Sequence, residues 1–127
     1  MTTTVDQFCI NVTDLDRSVR FYEATLGLTV THRIEIPGVS EVVLAGESGN
    51  RLQLAKHHER SGPIDHGTGL WKLYLATDDC AALYARALAA GAEAVSPPQH
   101  LEQWNVTVAF FKDPDGYLFE VVQNAAG

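Results

Sequence analysis

The chain has 127 residues, 46% of them hydrophobic, and a formal charge of −7 from 9 Lys plus Arg against 16 Asp plus Glu. That is enough apolar material for one core of ordinary size, and too acidic a balance for a nucleic-acid or anionic membrane partner. No basic leader and no apolar run of roughly 18 residues is present, so a soluble cytoplasmic protein is expected.

Taken in order, QFCINV (7–12) alternates as a strand and is followed by TDLDRSVRFYEATLGL, where Leu15, Val19, Tyr22 and Leu26 recur at helical spacing. Thr13 or Asp14 can cap the start of this helix and Gly27 can end it in the left-handed conformation. Three strands should come next, over 31–36, 40–46 and 50–55. KHHERSGPIDHGTG, polar and rich in glycine, reads as a linker over about 57–69. LYLAT (73–77) then opens a second strand and helix, with Asp79 before CAALYARALAA and Gly91 after it, and strands are expected over 92–96, 105–111 and 117–123.

The second half repeats the first. Asp79 lies 65 residues beyond Asp14, and Gly116 of PDGYLFEV lies 67 beyond Gly49 of ESGNRLQL. The fold class is therefore α+β, with two tandem βαβββ units, about 5–56 and about 70–124, in a single domain over 1–127. One helix covers one face of each four-stranded sheet, so two curved mixed sheets should leave a cleft between their uncovered faces.

VTDLDRSVRFYEATLGL and FFKDPDGYLFEVVQ resemble the two signature segments of the glyoxalase/bleomycin resistance/dioxygenase superfamily, the vicinal oxygen chelate fold. The resemblance implies four metal-ligand positions, on the first and last strand of each unit. Carried onto this chain they are Gln7, Gln53, Lys72 and Glu120. An ammonium has no lone pair to give and repels a dication, so the resemblance implies a metal site with its ligands replaced, no cofactor, and no bound metal. Lys72 and Glu120 are expected to pair, because either charge desolvated alone is costly. Whether Lys72 only neutralises Glu120 or also meets a ligand is left open by the residues.

Alternation places Cys9 and Asn11 on the face of Gln7, and pairing of Phe110 with Glu120 would bring Phe110, Trp104 and Tyr74 to the same side of the second sheet, with Val108 beside them and Phe111 and Phe119 in the core. Cys9 and Cys80 show no ligand spacing and are expected to be reduced thiols. His32 shares the parity of Val30, Ile34 and Ile36, while His57, His58, His66 and His100 fall in segments that read as solvated loops.

The expected function is a metal-free protein that sequesters a small apolar or aromatic compound, such as a natural-product antibiotic, in a site of Gln7, Cys9, Asn11, Gln53, Lys72, Tyr74, Trp104, Val108, Phe110 and Glu120. The alternative is a glyoxalase-like lyase or another enzyme of the fold, metal-dependent or using Glu120 and Lys72 as acid and base. A scaffold that only dimerises is the third reading. Similar proteins often build each cleft from two chains, so the expected partners are a small-molecule ligand and a second copy in a homodimer.

Overall fold

The computed structural model describes residues 1–125. By its internal contacts the chain divides into two compact units, Met1–Ile64 and Asp65–Gly127.

In the first unit, β1 (Gln7–Asn11) leads into α1 (Leu15–Leu26), followed by β2 (Thr29–Ile36), β3 (Val39–Ala45) and β4 (Arg51–His57). The sheet order is β1-β4-β3-β2, with β1 parallel to β4 and the other pairs antiparallel. Asp14 caps α1, its carboxylate accepting from the Arg17 amide at 3.0 Å, and Gly27 closes the helix at φ 66°, a region costly for a residue with a Cβ. α1 packs on β3 and β4. Ile10, Val42, Leu44 and Leu54 share one face of the sheet and are buried, as are Val19, Phe21 and Tyr22 of the helix.

The second unit repeats this plan with β5 (Leu73–Ala76), α2 (Cys80–Ala89), β6 (Glu93–Leu101), β7 (Val106–Lys112) and β8 (Leu118–Asn124), in the order β5-β8-β7-β6. Asp79 caps α2 through the Ala82 amide at 3.0 Å. Phe111 and Phe119 lie on the helix face, fully or almost fully buried, with ring centroids 5.3 Å apart. Two helices and two mixed four-stranded sheets thus realise the α+β arrangement of tandem βαβββ units. Among the described residues, no helix is long and apolar enough to cross a membrane.

Three local features depart from the sequence reading. β6 does not stop at 96 but runs to Leu101, through Pro97 and Pro98. An edge strand tolerates residues without an N–H, and the pairing with β7 slips between Ser96 and Gln99, where the prolines stand. In β2 the register also shifts, between Val30 and His32. His32 opposes Val43, which in turn opposes Gln53, so the bulge moves His32 off the face of Val30. Finally, β4 extends to His57 and β6 contains His100, so neither histidine is in a loop.

The turn before β8 is held from inside. Asp113 is buried, and its Oδ1 accepts from the amides of Asp115 and Tyr117, both at 2.9 Å. Its backbone closes the same turn, through Gly116 N–H to Asp113 O and Asp113 N–H to Tyr117 O, each 2.9 Å. Gly116 adopts φ 90°, and the His66 ring stands 3.1 Å from where a Cβ would lie. His66 also bonds the Asp115 carbonyl at 2.9 Å and meets Tyr117 edge-on at 4.7 Å, so it packs on this turn while remaining exposed in its loop. Asp113→Ala strips two amides of their acceptor and should destabilise the protein by roughly 1–3 kcal/mol, read as a lowered urea midpoint at unchanged slope.

Candidate functional site

Each sheet has a face that its own helix does not cover, and the strand registers define which side chains share it. In the first unit Cys9 opposes Gln53, so Gln7, Cys9 and Asn11 of β1 stand with Gln53 of β4. Gln7 Nε2 donates to Gln53 Oε1 at 2.6 Å. Further along the same face, His57 Nε2 lies 2.9 Å from Asn11 Oδ1. Cys9 is exposed, yet partial desolvation, reinforced by Glu41, raises its pKa above the ordinary thiol value. A thiol held protonated is a poor nucleophile.

In the second unit Tyr74 opposes Glu120, and Phe110 opposes Glu120 from the other side. Val108 precedes Phe110 by two residues and therefore shares its side. Lys72 stands just ahead of β5, two residues from Tyr74, and its Nζ donates to Glu120 Oε1 at 2.5 Å. The two side chains are only 12% and 14% exposed. Trp71 and Tyr74 remain largely open to solvent, at 76% and 64%. Trp104 falls in the turn between β6 and β7, so strand alternation assigns it no face.

The two pairs are counterparts. Lys72 follows Gln7 by 65 residues and Glu120 follows Gln53 by 67, the same offsets that relate the helix caps and the turn glycines. In each unit a side chain at the start of the first strand reaches one on the last strand. The first unit closes this contact with two neutral amides, the second with a full ion pair.

The hydrogen bond to Glu120 raises the Lys72 pKa above the ordinary lysine range; desolvation opposes the shift and Tyr74 reinforces it. A raised folded-state pKa contributes stability that is present below the unfolded value and is lost as pH rises through the folded one. Lys72 is therefore charged at neutral pH. The urea midpoint of the protein should exceed that of Lys72→Met between pH 7 and 9, and the difference should shrink above roughly pH 10.5, once the free lysine pKa is passed.

These donors do not suit a divalent ion. Hard and borderline cations take carboxylate oxygen and imidazole nitrogen, and the ion's charge needs balancing. The second unit offers one carboxylate already bonded to an ammonium, and the first offers two amides bonded to each other. Among the described residues, no three His, Cys, Asp or Glu side chains converge as a metal site.

Fold and residue pairs together define a class: tandem βαβββ proteins that carry polar groups at the strand ends of each sheet's uncovered face. The family model for the Glyoxalase/Bleomycin resistance protein/Dioxygenase superfamily matches residues 4–121, and the chain belongs to that superfamily. It is 28% identical to the lactoylglutathione lyase of Haemophilus influenzae over 120 residues, covering 91% of this chain and 88% of that one. A probable lactoylglutathione lyase of Synechocystis sp. is 28% identical over 121 residues, with 92% of each chain covered. The lactoylglutathione lyase GLX1 of Arabidopsis thaliana is 30% identical over 116 residues, but the chain spans only 41% of its length. Among solved structures, glyoxalase I from Zea mays superposes with a TM-score of 0.83 at 25% identity, over 94% of this chain and 44% of that one.

These relatives correct the functional expectation. The replaced ligand positions and the aromatic side chains suggest a metal-free sequestering protein, whereas the curated relatives that match most of the chain are named as lyases. Loss of metal ligands argues against one way of performing a reaction, and it does not argue against a reaction. Glu120 is the one carboxylate among the four positions.

Proposed function

We propose that the chain is an enzyme of the glyoxalase type, a lyase or isomerase that moves a proton between neighbouring carbons of a small carbonyl compound, with lactoylglutathione as the first candidate substrate. The observation that carries the proposal is the Lys72–Glu120 pair, placed on the uncovered face of a fold whose curated relatives are lactoylglutathione lyases. A lyase that splits lactoylglutathione without water must yield glutathione and a three-carbon oxoaldehyde. That outcome requires the proton on the carbon bearing the hydroxyl to move to the thioester carbon, after which the carbon–sulfur bond can break.

Glu120 is suited to carry that proton. A carboxylate has two oxygens, and Lys72 occupies Oε1, so the second can accept the proton and return it one carbon further on. Tyr74, Val108 and Phe110 lie on the same side of the sheet and offer apolar contact for the substrate's carbon chain. Gln7, Cys9, Asn11 and Gln53 on the uncovered face of the first unit, and Trp104 in the second, are proposed ligand contacts, each within its own unit.

Addition of lactoylglutathione to the purified chain should consume the thioester, seen as loss of its ultraviolet absorbance and appearance of free thiol. A rate equal to that in buffer, together with an unshifted melting temperature, would refute the proposal. A reducing compartment that contains glutathione suits both the substrate and the free cysteines Cys9 and Cys80. The proposal includes a homodimer, supported by large apolar side chains left exposed, among them Phe8, Ile36, Trp71 and Trp104. Sedimentation at micromolar concentration should give twice the chain mass; a monomer would remove that element.

A further inference from the structure

A lysine so little exposed is unusual unless something holds its charge, and here four groups do. Nζ donates to Glu120 at 2.5 Å and stands 4.0 Å from the ring centroid of Trp71, 5.0 Å from Tyr74 and 5.5 Å from Phe110. All three rings are within the roughly 6 Å over which an aromatic face attracts a cation. The second unit is thus built around a positive charge, and that charge belongs to the chain. An external dication brought to the Glu120 carboxylate would meet the ammonium a few ångströms away and be repelled by it.

We propose that Lys72 is a catalytic residue that does the work a divalent ion would otherwise do: its ammonium donates a hydrogen bond to the substrate oxygen that gains negative charge, so the chain acts on enolisable ketones and thioesters with no metal. This rests on the enzyme reading of the same site. In the step, the C–H bond beside the carbonyl breaks, its proton goes to the free oxygen of Glu120, and its electron pair forms the carbon–carbon double bond. The carbonyl pair moves onto oxygen, where Lys72 meets it. The substrate carries a hydroxyl on the carbon that lost its hydrogen: return of the proton from Glu120 to the former carbonyl carbon, with that hydroxyl's proton passing to the oxyanion, re-forms the carbonyl at the neighbour, and no oxidant, reductant or co-reactant is needed. An ammonium has three N–H donors and Glu120 engages one, so a further donor can meet the substrate. A donor already fixed by its surroundings stabilises developing charge without reorganising.

The test compares the unaltered chain with Lys72→Met, Lys72→Arg and Lys72→His, each treated with EDTA, dialysed, and assayed with and without added nickel or zinc. The unaltered chain should retain well under about 0.1 metal ion per chain and turn over lactoylglutathione equally well before and after EDTA. Lys72→Met should lower kcat by about 100-fold or more with KM changed by less than about threefold, and Lys72→Arg, which keeps a cationic donor, should recover part of the loss. Lys72→His sets an imidazole beside Glu120 and should bind nickel at least about tenfold more tightly than the unaltered chain. Circular dichroism establishes that each variant is folded. Turnover that survives Lys72→Met, or that disappears with EDTA and returns with metal at one ion per chain, overturns this inference alone. Absence of turnover in every preparation overturns the enzyme reading on which it rests, while the nickel comparison still reports whether Lys72 keeps a dication out.

Discussion

Phe111→Ala should destabilise the protein by about 3–5 kcal/mol, the largest loss expected from any single core truncation in the second unit. Phe111 is fully buried, opposes Phe119 in the β7–β8 register, and stacks on it at 5.3 Å. Removing the ring leaves a cavity under α2 that the neighbouring strand cannot close, because β7 is hydrogen-bonded on both sides. Phe110, the next residue, faces the opposite way, so Phe110→Ala should cost far less stability. The contrast between these adjacent phenylalanines, read from urea unfolding, tests the register that places Glu120 on the uncovered face. Equal losses for both would contradict it.

Glu120→Gln should lower turnover of lactoylglutathione by about 100- to 10,000-fold, the range in which removing a positioned general base falls. The amide keeps the size of the side chain and can still accept from Lys72, so the fold should survive while the group able to hold a proton is lost. A corresponding change in the first unit, Gln53→Glu, introduces a carboxylate at the equivalent position without an ammonium beside it. It should not restore activity to the Glu120→Gln chain, because the two pairs are equivalent in placement and not in charge.

The architecture was legible because the chain repeats itself. Two aspartate caps and two turn glycines at matching offsets mark the units, and those offsets pair Gln7 with Lys72 and Gln53 with Glu120. Contact between Lys72 and Glu120 follows from the ligand positions that the family resemblance implies and from the cost of an unpaired charge. Less accessible were features that depend on neighbouring strands. The bulge that turns His32 away from Val30 has no sequence marker, since Thr31 is as good a strand residue as its neighbours. Pro97 and Pro98 read as the end of a strand, and only the position of β6 at the sheet edge lets the strand continue through them. Asp113 was recognisable as part of a DPDG turn, but its burial and its two amide bonds arise from how that turn folds back on Tyr117. The functional expectation failed for a different reason. The identities of four side chains speak to whether a metal can bind, and a carboxylate paired with a lysine is compatible with passive binding and with catalysis alike.

The most direct measurement is proton NMR of the purified chain acting on lactoylglutathione, with the products identified. Transfer of a proton between the two carbons predicts glutathione and the three-carbon oxoaldehyde as products, with the hydrogen of the hydroxyl-bearing carbon found on the aldehyde carbon or exchanged with solvent deuterium. Lactate and glutathione as the products, with that hydrogen retained in place, would show thioester hydrolysis and contradict the account.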